Sequence, residues 1–128
     1  MKNKIVRLPD TELEIMQVIW NNPTPITTSE VKRILEEERP WSVGALQTLL
    51  NRLIDREFLK GEMQGKSKTY SPLVSEKEYL VIESKSFLKR MSGNSITRLV
   101  TSLYDSKSIS DEDLEELNAF IENTKKND

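Results

Sequence analysis

The sequence predicts a mainly α-helical fold in two parts, residues 1–74 and residues 75–128. The first part has the order helix, helix, helix, β-hairpin, and the second part has three further helices. Apolar residues recur at helical spacing along most of the chain, which predicts amphipathic helices. Only the stretch after Arg56 changes to short apolar runs around a glycine-containing turn, which is typical of a hairpin.

The first two helices are predicted from their ends. Asp10 is the predicted cap of the first helix, which ends at Asn21-Asn22-Pro23. Its apolar face consists of Leu13, Met16, Ile19 and Trp20. Thr27 and Glu30 have the spacing of a capping box, so we expect a second helix to start there and to end before Pro40.

The third helix and the hairpin complete the first part. Ser42 is the predicted cap of the third helix, which runs to about Arg56. Its core-facing stripe consists of Leu46, Leu49, Leu50 and Leu53. Residues 58–63 and 68–73 are two predicted strands, joined by a turn that contains Gly65. This order is that of a winged helix-turn-helix, in which the third helix enters the DNA major groove.

The second part, residues 75–128, contains three predicted amphipathic helices. Ser75 with Glu78 and Ser110 with Asp113 have capping-box spacing, and Gly93-Asn94 breaks the first of these helices near Ser92. Short helices gain most of their stability from tertiary packing. We therefore expect the apolar stripes to form a homodimer interface, with folding onto residues 1–74 of the same chain as the alternative. The interface residues are Leu99, Val100, Leu103, Leu114, Leu117 and Ile121.

The composition excludes several classes of chemistry. The chain has no cysteine and no histidine, which excludes disulfides, zinc fingers, cysteine nucleophiles and histidine-based triads. Acidic runs such as Asp111-Glu112-Asp113 are interpreted as solvated helix faces. We therefore expect no enzymatic activity, no metal and no cofactor. The longest apolar run, Tyr79–Ile82, is too short to insert into a membrane, and no secretory signal is evident, so we expect a cytoplasmic protein.

The net charge of −2 is unevenly distributed along the chain. Residues 1–74 hold 11 Lys/Arg and 10 Asp/Glu, whereas residues 75–128 hold 8 Lys/Arg and 11 Asp/Glu. The first part is therefore the better candidate for a contact with nucleic acid.

The face of the third helix opposite its leucine stripe carries side chains suited to reading bases. Gln and Asn side chains can bond adenine, an Arg side chain can bond guanine, and a Thr methyl group can contact thymine. Gly44 adds no bulk and would let the backbone approach DNA. The candidate DNA-binding residues on this face are Gly44, Gln47, Thr48, Asn51 and Arg52. The alternative interpretation is an ordinary solvated helix face.

A second set of candidates would contact phosphates. Ser42 lies at a helix amino terminus, which favours an anion, although a plain N-cap is an equally good interpretation. Lys66, Lys68 and Tyr70 flank the hairpin turn and would contact the DNA backbone. The alternative is an edge strand that lysines protect from pairing. A winged helix that binds a protein partner and no DNA remains the alternative for the whole first part, and an enzyme subunit with carboxylate chemistry has no positive support.

The sequence also resembles a known family between about Leu8 and Ile121. The matching segments are Glu12 with Ile15-Met16 and Ile19-Trp20, Trp41-Ser42 with Thr48-Leu49-Leu50-Asn51-Arg52-Leu53, the hairpin ending in Tyr70-Ser71-Pro72, and Phe87-Leu88 with Gly93. In these segments the chain is similar to the family of penicillinase and methicillin-resistance repressors (BlaI/MecI/CopY). The resemblance implies a homodimeric repressor that binds double-stranded operator DNA with dyad symmetry. It also implies a membrane sensor-protease system that triggers cleavage in the carboxy-terminal domain.

The chain departs from the pattern of that family at three places. The family's Thr-Val/Ile-Arg/Lys-Thr in the third helix corresponds to Ala45-Leu46-Gln47-Thr48, which implies a different operator. The family's cleaved Asn-Phe bond corresponds to Ser102-Leu103, the candidate cleavage site. The cysteine cluster of the copper-responsive branch is missing, which argues against copper sensing.

Overall fold

The computed structural model describes residues 5–91 and 95–127. The predicted mainly helical fold with a winged helix is confirmed. The elements in chain order are α1 (Asp10–Trp20), β1 (Ile26–Thr27), α2 (Thr28–Leu35), α3 (Val43–Asp55), β2 (Leu59–Gln64), β3 (Ser67–Pro72), α4 (Glu76–Arg90), α5 (Ile96–Asp105) and α6 (Asp111–Lys126). Two compact units comprise Met1–Ser86 and Phe87–Asp128. The division into a DNA-binding domain at residues 1–74 and a dimerisation domain at residues 75–128 stays a prediction.

The helix caps follow the sequence at all but one position. Thr27 and Glu30 form the predicted capping box of α2, and Ser42 caps α3. The cap predicted for α1 is wrong by one residue, because Pro9 is the N-cap and Asp10 is the first helical residue. The Pro9 carbonyl already accepts a hydrogen bond from the Leu13 N–H at 3.0 Å, so helical bonding begins one residue earlier. Asp10 then lies in the first turn, where its negative charge interacts favourably with the helix dipole.

A short strand that the sequence analysis did not predict changes the sheet. Strand β1 pairs antiparallel with β3, with Ile26 opposite Tyr70, and β2 pairs with the other edge of β3. The strand order is therefore β1-β3-β2, which makes β3 the central strand. Strands β2 and β3 are joined by the two-residue loop Gly65-Lys66, and the φ of +64° at Gly65 is one that glycine adopts without strain.

The core of the first unit continues into the start of α4. The Tyr79 side chain is buried, and its ring lies 5.7 Å from the rings of both Trp20 and Phe58. Its hydroxyl accepts a hydrogen bond from the Leu8 N–H at 2.6 Å and donates one to Glu83 Oε1 at 2.7 Å. Burial raises the pKa of Tyr79 to about 12.

One carboxylate lies inside this core. The side chain of Glu12 on α1 is 2% exposed, and Arg56 Nε at the end of α3 lies 3.2 Å from Glu12 Oε1. The two atoms are at ion-pair distance without the geometry of a hydrogen bond, so their attraction is Coulombic. This pair ties α1 to the carboxyl end of α3.

The second unit has no fully buried residue in α5 or α6. Leu99, Val100, Leu103 and Leu114 are half-buried. Leu117 and Ile121 are exposed, as is Phe120. The capping box of Ser110 and Asp113 is confirmed. The predicted helix break at Gly93-Asn94, with helix end near Ser92, lies outside the described residues.

Candidate nucleic-acid interface

Helix α3 is held in the first unit by one face. Leu46, Leu50 and Leu53 are fully buried, and Leu49 is half-buried, as the leucine stripe predicts. The side chain of Ser42 accepts a hydrogen bond from the Ala45 N–H at 3.0 Å and so starts the helix. The opposite face of α3 is therefore turned away from the core.

The exposed face of α3 carries the predicted base-reading residues. Gly44, Thr48, Asn51 and Arg52 are exposed, and Gln47 is half-buried. The Thr48 hydroxyl donates to the Gly44 carbonyl at 3.0 Å, so Thr48 would offer its methyl group to a partner. Arg52 makes no ion pair with any other residue of the described ranges, so its guanidinium is available to a partner.

Gln47 differs from its neighbours on this face because its side chain is hydrogen-bonded to a core residue. Its Nε2 donates to Asn51 Oδ1 at 3.1 Å and to the hydroxyl of Tyr70 at 3.2 Å. The Tyr70 hydroxyl also accepts from Thr28 Oγ1 at 3.3 Å. The Tyr70 hydroxyl of β3 is therefore the point where side chains of α2 and α3 meet.

The amino terminus of α3 is open to a partner. The side chain of Ser42 accepts a hydrogen bond from one N–H of the first turn, so Ser42 is an N-cap. The sequence analysis gave this role as the alternative to phosphate binding. An added Cβ at Gly44 would meet no atom within 4 Å, so the packing of this chain does not require glycine there. The missing side chain leaves the backbone accessible beside the first turn of α3.

The hairpin, which forms the wing of this fold, carries two cations near its loop. Lys66 is exposed in the loop itself, and Lys68 is half-buried with its Nζ 5.8 Å from the centre of the Tyr70 ring. The stem of Lys68 lies over Gly61, where an added Cβ would come within 3.0 Å of Lys68 Cε. Farther along the wing, the hydrogen bond from Lys60 to Glu62 at 2.6 Å raises the pKa of Lys60, so that cation has an acidic partner.

Tyr70 requires a correction. The sequence analysis grouped it with Lys66 and Lys68 as a phosphate contact, but its side chain is 0% exposed. Because β3 is the central strand, the Tyr70 ring packs into the core, and only other residues of the chain reach its hydroxyl. Thr28, which the sequence analysis did not single out, is one of them. No local signal marks Thr28, because it reaches Tyr70 only through the pairing of β1 with β3.

Other kinds of site find no support among the described residues. Within residues 5–91 and 95–127 no group of three acidic side chains is arranged to hold a metal ion. In the same ranges, no helix has the length and apolar content needed to span a membrane. The second unit contains a cavity of about 340 Å³ lined by Phe87, Leu88, Met91, Ser95, Arg98, Leu99 and Ser102.

Comparison with known proteins identifies relatives along nearly the whole chain. The family described as "Penicillinase repressor" matches residues 8–123. The "Penicillinase repressor" of Bacillus licheniformis is 34% identical over 122 residues, which cover 95% of this chain and 94% of that protein. The "Methicillin resistance regulatory protein MecI" of Staphylococcus aureus (strain N315) is 26% identical over 121 residues, 94% of this chain and 98% of that protein.

Two solved structures resemble part of this chain. The solution structure of the DNA-binding domain of the repressor BlaI is 39% identical, with a TM-score of 0.53, and covers 62% of this chain and 94% of that one. Monomeric BlaI of Bacillus licheniformis, in complex with the blaP half-operator, is 38% identical with a TM-score of 0.50 and covers 59% of this chain and 92% of that one. The second of these relatives binds DNA in its solved structure.

Proposed function

The chain belongs to the penicillinase repressor family, and from this premise we propose that it is a dimeric, sequence-specific DNA-binding repressor of an antibiotic-resistance operon. The observation that carries the proposal is the outward face of α3, where Thr48, Asn51 and Arg52 are exposed while the leucine stripe is buried. A relative with the same winged helix binds a half-operator. The protein would then act in the cytoplasm, where bacterial DNA lies.

The two parts of the interface have different roles in this proposal. Side chains on the exposed face of α3, namely Gln47, Thr48, Asn51 and Arg52, would read base edges. The amino terminus of α3 at Ser42 and Gly44, together with Lys66 and Lys68 of the wing, would hold phosphates. Tyr70 supports the first group from inside the core.

Dimerisation is supported by what the second unit does not bury. In a single chain Leu117 and Ile121 of α6 stay exposed, and Leu99, Leu103 and Leu114 are only half-buried. Removing apolar surface of this kind from water is favourable, so a complex with a partner that covers it would be stabilised. The proposed occupant is the same unit of a second chain, because two reading helices related by a two-fold axis match an operator with dyad symmetry.

Release from the operator would follow from loss of the dimer. A membrane sensor-protease system could cut the Ser102–Leu103 bond, which lies inside α5. The Ser102 carbonyl accepts a helical hydrogen bond from the Ser106 N–H at 3.0 Å, and Leu103 is half-buried. A protease would need local unfolding of α5 to reach this bond. Mass spectrometry of the protein from cells treated with a β-lactam tests this route, and full-length protein in derepressed cells would contradict it.

A salt-dependent gel shift on the DNA upstream of the chain's own gene tests the proposal. Operator binding should weaken steeply as salt rises, because phosphate contacts release counterions. Arg52→Ala should weaken binding, whereas Lys125→Ala, which removes the same charge far along α6, should not. Absence of binding to the upstream region at low salt would contradict the proposal and favour a winged helix that binds a protein partner.

A further inference from the structure

The side chain of Gln47 is oriented before any partner arrives. Its Nε2 donates to the Tyr70 hydroxyl at 3.2 Å and to Asn51 Oδ1 at 3.1 Å. An amide nitrogen has two N–H bonds, so these two acceptors use its whole donor capacity. Gln47 Oε1 has no hydrogen-bond partner within residues 5–91 and 95–127, and it is the atom left for a ligand.

The anchor of this arrangement is rigid. The ring of Tyr70 is completely buried on the central strand, between Ile26 of β1 and Gly61 of β2. Its hydroxyl accepts a second hydrogen bond from Thr28 Oγ1 at the start of α2. A glutamine on a helix surface otherwise samples many rotamers and loses that freedom on binding. Here the core fixes the amide beforehand, which is how a recognition group is pre-organised.

This orientation changes what Gln47 can read. A free glutamine binds adenine with two hydrogen bonds, accepting from N6 and donating to N7. With both N–H bonds occupied, Gln47 can only accept, and the major-groove donors are the exocyclic amines of adenine and cytosine. Asn51 is complementary, because its Oδ1 already accepts one hydrogen bond from Gln47 while its Nδ2 remains a donor.

We infer that Tyr70 is a positioning residue for base readout, which holds Gln47 as a hydrogen-bond acceptor for the exocyclic amine of adenine or cytosine in the major groove. The inference rests on the proposed function, because it requires α3 to lie against base edges. It predicts that an internal hydroxyl, with no contact to DNA, sets the selectivity of one base-pair position.

Binding to an operator library, with every base pair varied one position at a time, provides the first test. Gln47→Ala should abolish the preference at one position, which identifies the base pair that Gln47 contacts. Tyr70→Phe keeps the buried ring and frees one N–H bond of Gln47, which can then donate to a base, so it should change that same preference by about five- to tenfold, the effect expected of one hydrogen bond. The matched control is Tyr79→Phe, which removes another buried hydroxyl of the first unit and should leave the preference unchanged.

Base analogues provide a second test with the unaltered protein, which does not depend on the folding of Tyr70→Phe. At the identified position, the base analogue that lacks the exocyclic amine should weaken binding of the wild type about five- to tenfold and leave binding of Gln47→Ala unchanged. A 7-deazapurine at the same base pair, which lacks N7, should cause no loss that depends on Gln47.

Three results would overturn the inference while the proposed function stands: operator binding in which Gln47→Ala alters no position, a preference that Tyr70→Phe leaves intact, or a Gln47-dependent loss with the 7-deazapurine. Absence of any operator binding by the wild type would instead overturn the proposed function.

Discussion

Arg56→Ala should destabilise the first unit strongly, although it removes a side chain at the surface end of α3. The partner of Arg56 is Glu12, whose carboxylate is 2% exposed and whose Oε1 lies 3.2 Å from Arg56 Nε. Removing one partner of a buried pair leaves an uncompensated charge, which costs about 3–5 kcal/mol. Since the Arg56 side chain is itself 38% exposed, we expect the lower end, about 3 kcal/mol.

A second ion pair in the same unit provides the control. Arg7 Nε lies 3.2 Å from Glu83 Oε2, the same separation, but the side chains are 44% and 24% exposed. Water therefore screens this pair, and Arg7→Ala should cost about 0–1 kcal/mol. Because the two ion pairs have the same N–O distance, the difference between the two costs reports the burial of the carboxylate.

The assay is urea unfolding of the full chain at one fixed protein concentration, followed by tryptophan fluorescence. Both tryptophans, Trp20 and Trp41, lie in the first unit and report its unfolding. With Glu12→Gln already present, Arg56→Ala should cost about 1 kcal/mol or less, because no buried charge is left behind. Equal costs for Arg56→Ala and Arg7→Ala, or an Arg56→Ala cost that Glu12→Gln does not reduce, would refute the reasoning.

Three further predictions concern pH, assembly and DNA. Because burial raises the pKa of Tyr79 from 10.0 to about 12, its stabilising contribution is complete below pH 10 and is lost as the pH rises towards 12. Tyr79→Phe should therefore flatten this alkaline loss in the free energy of unfolding, and an unchanged slope would contradict the assignment. Ile121→Glu should convert the proposed dimer to a monomer in sedimentation, whereas Asn123→Glu, on the opposite face of α6, should not, and equal effects would place the interface elsewhere. Lys66→Ala should weaken operator and random DNA alike and lower the salt slope by about one unit; a loss confined to one operator position would show that Lys66 reads a base.

The sequence by itself determined the helices, the hairpin and the outward face of α3. Thr27 with Glu30, and Ser42 with Ala45, interact across three positions of the chain, and the leucine stripe repeats within one or two turns. Hydrogen bonds and apolar contacts between such near neighbours leave a pattern that can be recognised in the residues themselves. The same locality placed the glycine-containing turn of the hairpin.

Only the tertiary structure decided which polar groups are buried and which already have a hydrogen-bond partner within the chain. The sequence groups Tyr70 with the lysines of an exposed wing, but pairing with the two-residue strand β1 makes β3 central and puts the ring in the core. A strand of two residues has no period to detect. Glu12 is likewise buried because Arg56, far along the chain, compensates its charge. One N–H bond of Gln47 is used by a hydroxyl 23 residues away, and such a partner is chosen by packing between elements, which no local pattern encodes.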